Sequence, residues 1–129
     1  MSETKEVPVA AVLVVDDDQR NVRLMESILR GSGYRVVKAY NGEEALHVVE
    51  SERPDLLLLD VMMPKMSGFE LCQRLKGRYE TRLLPVIMVT ALNALEDKVQ
   101  ALEHGADDFL SKPINKVELL AKVRSVLRV

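Results

Sequence analysis

The chain has 129 residues, of which 47% are hydrophobic and 29% charged, with a net charge of -2. This length favours one domain with a sizeable core, and the charge excludes a general electrostatic basis for binding nucleic acid or an anionic membrane. No apolar run approaches the roughly 20 residues of a membrane helix, no secretory signal opens the chain, and one cysteine excludes an internal disulfide. We therefore expect a cytoplasmic protein in which Cys72 is a packing residue.

Apolar runs typical of strands alternate along the chain with segments of helical periodicity. The first run, AAVLVV, is rich in β-branched residues, and the helical segment after it stops at a Gly-Ser-Gly sequence. The predicted strands are 10–15, 34–39, 55–60, 84–90 and a short one within 107–113. The predicted helices lie within 18–33, 41–54, 65–77, 95–105 and 115–129.

The order of these elements indicates an α/β fold. Strands of Val, Ile and Leu without polar alternation predict burial on both faces, as in a parallel sheet, and right-handed crossovers then place helices on both sides. We therefore predict a doubly wound five-stranded parallel sheet flanked by five helices. Residues 1–8 are expected to form a flexible tail, which leaves one domain over 9–129.

Polar side chains follow the ends of four predicted strands. In an open parallel sheet, ligands bind at these carboxyl ends. The run LLLL keeps the third strand in the core and brings the carboxylate after it to the edge of the sheet. The residues at this edge are Asp16, Asp17 and Asp18 after the first strand, Asp60 after the third, Thr90 after the fourth and Lys112 after the fifth.

These residue types together suit a phosphoryl group. Carboxylates that share one edge raise each other's pKa, and Mg²⁺ with oxygen ligands would hold them ionised. An Asp carboxylate is a known type of nucleophile, and a metal and a lysine offset charge on the phosphoryl oxygens. Taken singly, each residue has a simpler explanation: Asp18 caps a helix, and Lys112 lies in a turn. Their joint placement predicts a site.

The stretches VLVVDDD, LLLLDVMMPKMSGFEL, PVIMVTAL and GADDFLSKP resemble, in order and spacing, the receiver domain of two-component response regulators. The resemblance covers about 9–128 and implies the flavodoxin-like receiver fold. It implies that Asp60 is the phosphoacceptor. It also implies that Asp16 and Asp17 form the acidic pair, with Asp17 favoured as the direct Mg²⁺ ligand. Met62 would supply a further metal ligand through its backbone carbonyl.

The resemblance assigns the remaining site residues as well. Thr90 would hydrogen-bond the phosphoryl group, and Lys112 would pair with it. A cis peptide bond is expected before Pro113, and X-Pro bonds permit one. Phe109 stands at the position of the switching aromatic, where many members have Tyr, so burial of the ring remains available but a hydroxyl hydrogen bond does not. The alternative is that Phe109 is a core residue of its strand.

The function implied by the resemblance is signal transfer. A sensor histidine kinase or phosphotransfer protein would phosphorylate the domain. The domain would catalyse only its own phosphorylation and dephosphorylation and would not be an enzyme otherwise. The fourth helix, fifth strand and fifth helix would then control an output domain or downstream protein, with a homodimer through that face left open. No nucleic acid or membrane partner is expected. His47 and His104 are predicted to be surface residues. Apolar Met62 and Leu92, where the family's attacking water passes, predict slow self-dephosphorylation.

Three alternatives compete with this interpretation. A phosphatase of the haloacid-dehalogenase type would use Asp16 as nucleophile in a D-x-D pattern with Asp18, although Gln19-Arg20 does not continue that pattern. A flavin-binding protein would need Ser, Thr or Gly after the first strand, where three acids stand instead. A degenerate receiver that serves only for docking is opposed by the complete set of Asp16, Asp17, Asp60, Thr90 and Lys112.

Overall fold

The computed structural model describes residues 9–91 and 95–128, the side chains of 95–97 excepted. The predicted tail and Leu92 therefore lie outside the described residues. Strands and helices alternate along the chain as the sequence predicts. The strands are β1 Ala11–Val15, β2 Arg35–Ala39, β3 Leu56–Asp60, β4 Val86–Thr90 and β5 Asp108–Ser111. The helices are α1 Gln19–Gly31, α2 Gly42–Glu52, α3 Gly68–Lys76, α4 Leu95–Glu103 and α5 Lys116–Leu127.

The strands form one sheet in the order β2-β1-β3-β4-β5, and every pair is parallel. Successive residues of β3 serve opposite faces, because side chains alternate along a strand. Leu57 and Leu59 enter a cluster with side chains of α2 and α3, whereas Leu56 and Leu58 enter a second cluster with side chains of α1 and α5. Helices therefore cover both faces, and the predicted doubly wound parallel sheet is confirmed.

Helix starts follow the predicted capping chemistry. The Asp18 side chain accepts a hydrogen bond from the Arg20 N–H, which confirms the cap expected before α1. At the start of α3, Ser67 Oγ accepts from the Glu70 N–H at 3.2 Å, while the Glu70 carboxylate pairs with Arg74 at 3.0 Å. Ser67 thus supplies one half of a capping box, and Glu70 supports the helix through an i,i+4 ion pair.

The two histidines differ from each other in environment. His47 is exposed on α2, as predicted. His104 is half-buried, so it lies at the surface as predicted, with part of its ring covered. Its ring stacks on Phe69 with centroids 4.9 Å apart, and its carbonyl accepts a hydrogen bond from the thiol of buried Cys72. The turn after α4 folds His104 back over α3. None of the helices in the described ranges combines the length and apolar character needed to cross a bilayer.

Candidate functional site

Three carboxylates meet where the strand order reverses, between the neighbouring strands β1 and β3. Val15 pairs with Leu59, so the residues that follow, Asp16 and Asp60, emerge side by side. Asp16 is 1% exposed and Asp60 is 3% exposed, whereas Asp17 is exposed to solvent. Carboxylate oxygens of these three residues lie within 4.8 Å of one another. The predicted clustering of acidic side chains is present.

Lys112 brings a positive charge to this cluster. Its Nζ lies 3.1 Å from Asp60 Oδ1 and 3.4 Å from Asp16 Oδ2. Its backbone N–H donates to the carbonyl of Thr90 at 2.8 Å, which ties the loop after β5 to the end of β4. The peptide bond between Lys112 and Pro113 is cis, as expected. One ammonium therefore bridges two buried carboxylates.

Burial and crowding perturb the ionisation of this cluster. Burial, and then the negative charge of Asp16, raise the pKa of Asp60 from 3.8 to about 6, although Lys112 opposes the rise. Burial likewise raises the pKa of Asp16 above its ordinary value. Burial alone would lower the pKa of Lys112, but its hydrogen bond to Asp60 and the two carboxylate charges raise it. Lys112 is thus stabilised in its charged form, whereas burial disfavours the ionised forms of Asp16 and Asp60.

The two carboxylate oxygens of Asp16 differ in their hydrogen bonds to the described residues. Oδ1 accepts from the Asp18 N–H at 2.9 Å. Oδ2 is buried and accepts no hydrogen bond from the described residues, with Lys112 Nζ as an ionic neighbour at 3.4 Å. A buried carboxylate oxygen in this state is costly unless a ligand completes it. The donor set here is all oxygen, which is what Mg²⁺ selects.

The other predicted site residues are Thr90, Met62 and Phe109, and they lie at or near this edge of the sheet. Thr90 ends β4 and is 2% exposed. Met62, two residues after Asp60, is 63% exposed, and its neighbour Met63 is buried. Phe109 lies in β5 opposite Met88 and is half-buried against the core. Phe109 is therefore set back from the edge, two residues before the strand end.

The comparisons with known proteins agree with this geometry. A family model described as the response regulator receiver domain matches residues 12–124. The chain belongs to the response regulator receiver domain family.

Relatives of this receiver domain include longer regulators. Response regulator PleD of Caulobacter vibrioides is 50% identical over 119 residues, which are 92% of this chain and 26% of that protein. The alkaline phosphatase synthesis transcriptional regulatory protein PhoP of Bacillus subtilis is 46% identical over 91% of this chain and 48% of its own length. The receiver domain therefore spans about a quarter to a half of these curated relatives.

Solved structures share the fold of this receiver domain. A putative response regulator from Chloroflexus aurantiacus superimposes with a TM-score of 0.91 and 38% identity, covering 95% of this chain and all of that one. Chemotaxis protein CheY4 of Vibrio cholerae superimposes with a TM-score of 0.87 and 33% identity, covering 92% of this chain and 99% of its own. Family membership opposes the phosphatase and flavin alternatives, and Asp18, which the phosphatase would need in its site, caps α1.

Gly68 has a role in the receiver domain that the sequence analysis did not identify. A Cβ at Gly68 would overlap the carbonyl oxygen of Asp60 and lie 2.9 Å from Val61 Cα. The Gly68 N–H also donates to the Val61 carbonyl at 2.9 Å. Glycine is therefore needed because α3 begins in contact with the strand end that carries Asp60. The available signal was a poor helix former in the first turn of a helix.

We expect Gly68→Ala to reduce the free energy of unfolding by about 1–3 kcal/mol, because the added methyl group forces apart two backbone segments. Urea denaturation measures this effect. Gly31→Ala is the matched control: it lies at the end of α1 with nothing within 4 Å of the new Cβ. Equal stability of Gly68→Ala and wild type would contradict the close-contact explanation.

Proposed function

We propose that this receiver domain accepts a phosphoryl group on Asp60 from a phosphohistidine and thereby changes its interaction with an output domain or a downstream protein. The observation that carries the proposal is the ammonium of Lys112 between the buried carboxylates of Asp60 and Asp16. A buried carboxylate whose charge is disfavoured is a poor structural element on its own. It is well suited to become an uncharged acyl oxygen bonded to phosphorus.

The proposed step is an in-line displacement. An oxygen of the ionised Asp60 carboxylate forms a bond to phosphorus while the bond from phosphorus to the histidine nitrogen breaks, and that nitrogen keeps the electron pair. Lys112 then has a phosphoryl oxygen as a partner in place of the carboxylate charge. The Thr90 hydroxyl, at the neighbouring strand end, is assigned a hydrogen bond to the same group. The bonds that change belong to Asp60 and the phosphoryl donor. The other residues of the site therefore contribute positioning and charge stabilisation.

Mg²⁺ is the cation that the acidic cluster fits. The residues that would hold it are Asp16, Asp17 and Asp60, together with the backbone carbonyl of Met62. The fit rests on the buried Asp16 Oδ2, which accepts no hydrogen bond from the described part of the chain, and on three carboxylates whose oxygens lie within 4.8 Å of one another. When bound, Mg²⁺ supplies positive charge that offsets the charge of the carboxylates and of the phosphoryl oxygens.

The partners follow from this chemistry. We assign a sensor histidine kinase or phosphotransfer protein as the donor and a downstream domain or protein as the receiver of the signal. The surface formed by α4, β5 and α5 is the proposed switching face, with a homodimer through it as one possible output. The receiver domain itself is assigned no catalysis beyond its own phosphorylation and dephosphorylation, and no direct contact with nucleic acid or membrane.

The test is intact-mass spectrometry after incubation with acetyl phosphate and Mg²⁺, with Asp60→Asn and Asp17→Asn run in parallel. We expect one phosphoryl group on the wild type and none on Asp60→Asn, whose amide oxygen is a weak nucleophile. Asp17→Asn retains the phosphoacceptor and should be modified more slowly. A wild-type chain that acquires no adduct from acetyl phosphate or from phosphohistidine would contradict the proposal and support a docking role. An Asp60→Asn chain modified like the wild type would reassign the acceptor.

Met62 is expected to set the lifetime of the phosphorylated form. Its exposed apolar side chain, two residues after the phosphoacceptor, offers no group that orients an attacking water. We expect Met62→Gln to shorten the half-life by about fivefold, the rate equivalent of one hydrogen bond of about 1 kcal/mol. Met62→Leu is the control that keeps the side chain apolar. A half-life unchanged in Met62→Gln, alone and combined with Leu92→Gln, would remove this role.

A further inference from the structure

The ring of Phe109 lies close to two ammonium groups from different helices. Lys98 Nζ of α4 is 5.2 Å from the ring centroid, and Lys122 Nζ of α5 is 4.6 Å from it. Both distances are within the roughly 6 Å over which an aromatic face attracts a cation. The single aromatic side chain of β5 therefore connects α4 to α5 through charge–ring contacts.

Lys122 is held in this position by several acceptors. Its Nζ donates to the carbonyl of Phe109 at 2.6 Å and to Asp108 Oδ1 at 3.2 Å, and it lies 3.8 Å from a carboxylate oxygen of Glu118. An ammonium with this many partners has little freedom to leave. The ammonium of Lys122 is therefore fixed at the β5–α5 junction, where the Phe109 ring lies against it.

The register of the sheet relates this ring to the proposed phosphorylation site. Thr90 pairs with Ser111, and Met88 pairs with Phe109. Side chains two residues apart on a strand share a face, so Thr90 and Phe109 lie diagonally on the same side of the sheet. A shift of Thr90 toward a phosphoryl group on Asp60 would change the space next to the ring on that side.

We propose that Lys98 and Lys122 are positioning residues that hold the Phe109 ring in its half-exposed place and thereby oppose the phosphorylated conformation. The inference rests on the proposed function, because it concerns the regulation of the same site. A contact made in only one of two conformations biases the equilibrium between them, and the bias is reciprocal with binding at the site. Loss of the ring contacts should therefore make the phosphorylated conformation easier to reach.

The size of the effect follows from the strength of such contacts. An exposed or partly exposed charge–ring contact corresponds to about a two- to fivefold change in an equilibrium constant. Removal of both charges should thus tighten the binding of a phosphoryl mimic by about tenfold. Beryllium fluoride is a suitable probe because it adds to an aspartate carboxylate reversibly, so an apparent Kd can be measured with saturating Mg²⁺.

The experiment compares Lys98→Met, Lys122→Met and the double variant with Lys98→Arg and Lys122→Arg. Methionine keeps the length of the side chain and removes the charge, whereas arginine keeps the attraction to the ring. The chain contains two phenylalanines, so fluorophenylalanine labelling yields two ¹⁹F resonances, which a Phe69→Leu variant assigns. The apparent Kd and the Phe109 resonance are recorded for each protein without and with beryllium fluoride.

We expect the double Met variant to bind beryllium fluoride about tenfold more tightly and its free Phe109 resonance to lie closer to the bound position. The Arg variants should resemble the wild type. Lys98→Met alone keeps the test valid if loss of the Lys122 hydrogen bonds impairs folding. The positioning role would be overturned if the wild type binds beryllium fluoride and both Lys98→Met and the double variant keep its apparent Kd and its Phe109 resonance. The proposed function would remain intact in that case. Absence of phosphoryl uptake and of beryllium fluoride binding in the wild type would overturn both.

Discussion

Lys112→Met is expected to slow phosphoryl uptake from acetyl phosphate by about 10²- to 10³-fold, the loss typical of removing one group that stabilises developing charge. The reason is the position of the ammonium, 3.1 Å from Asp60 and 3.4 Å from Asp16. It is the positive side chain within ion-pair distance of both buried carboxylates among the described residues, so its role cannot pass to a neighbour. Methionine preserves the length of the side chain and leaves the two acids uncompensated.

Initial rates of adduct formation at saturating Mg²⁺ measure this effect. Lys38→Met is the matched control, because Lys38 is an exposed lysine of β2 paired with Glu26 on the surface. Circular dichroism separates slow chemistry from unfolding, since unpaired buried carboxylates also reduce stability. Lys112→Arg should rescue the rate only in part, because a guanidinium spreads its charge over a larger planar group. A Lys112→Met rate within threefold of the wild type would exclude the assigned role.

The fold was predictable because its causes are local. Strands such as β3 are continuous runs of Leu, and burial on both faces leaves few alternatives to a parallel sheet between helices. The boundaries were less predictable. The fourth strand begins at Val86 and not at Leu84, because Leu84 and Pro85 form the irregular segment before it, where the carbonyl of Leu84 accepts a hydrogen bond from Lys76. That hydrogen bond comes from the preceding helix α3 and has no signature in the strand's own pattern.

The site was predictable in composition but not in detail. Asp16 and Asp60 stand at strand ends, so topology alone brings their side chains to one edge. The bridge by Lys112 to both carboxylates depends on how the loop after β5 turns, which residue types do not reveal. The close contact behind Gly68 and the two cations at Phe109 likewise arise from packing between separate elements. Such features produce no periodic pattern in the sequence, because each partner comes from a different structural element.

Asp60→Asn is expected to raise the free energy of unfolding of the metal-free protein at pH 7 by about 1–3 kcal/mol. Burial first, and the charge of Asp16 second, raise the pKa of Asp60 from 3.8 to about 6. A rise of this size corresponds to at most about 3 kcal/mol. The folded protein holds the Asp60 proton more tightly than the unfolded chain does. Stability from this group is therefore full below about pH 4 and is lost as the pH rises through 6.

The amide of Asn carries no charge at any of these pH values, so the variant does not lose stability from this position as the pH rises. The difference between Asp60→Asn and wild type should be near zero at pH 4, grow between pH 4 and 6, and stay constant above that range. Urea denaturation in buffer with a chelator measures it. Asp17→Asn is the matched control, since this exposed carboxylate contributes repulsion without burial and should yield a smaller gain.

Addition of Mg²⁺ should reduce this difference in stability between Asp60→Asn and the wild type. A ligand that binds only the folded state stabilises it by about 2.7 kcal/mol at a concentration 100 times its Kd. The wild type offers three carboxylates to the ion and Asp60→Asn offers two, so the wild type should gain more. The stability gap at pH 7 is expected to narrow or close with Mg²⁺ and to reopen with chelator. A gap independent of both pH and Mg²⁺ would mean that the buried carboxylates are not held at this edge for a cation, and that Asp60 is an ordinary structural acid.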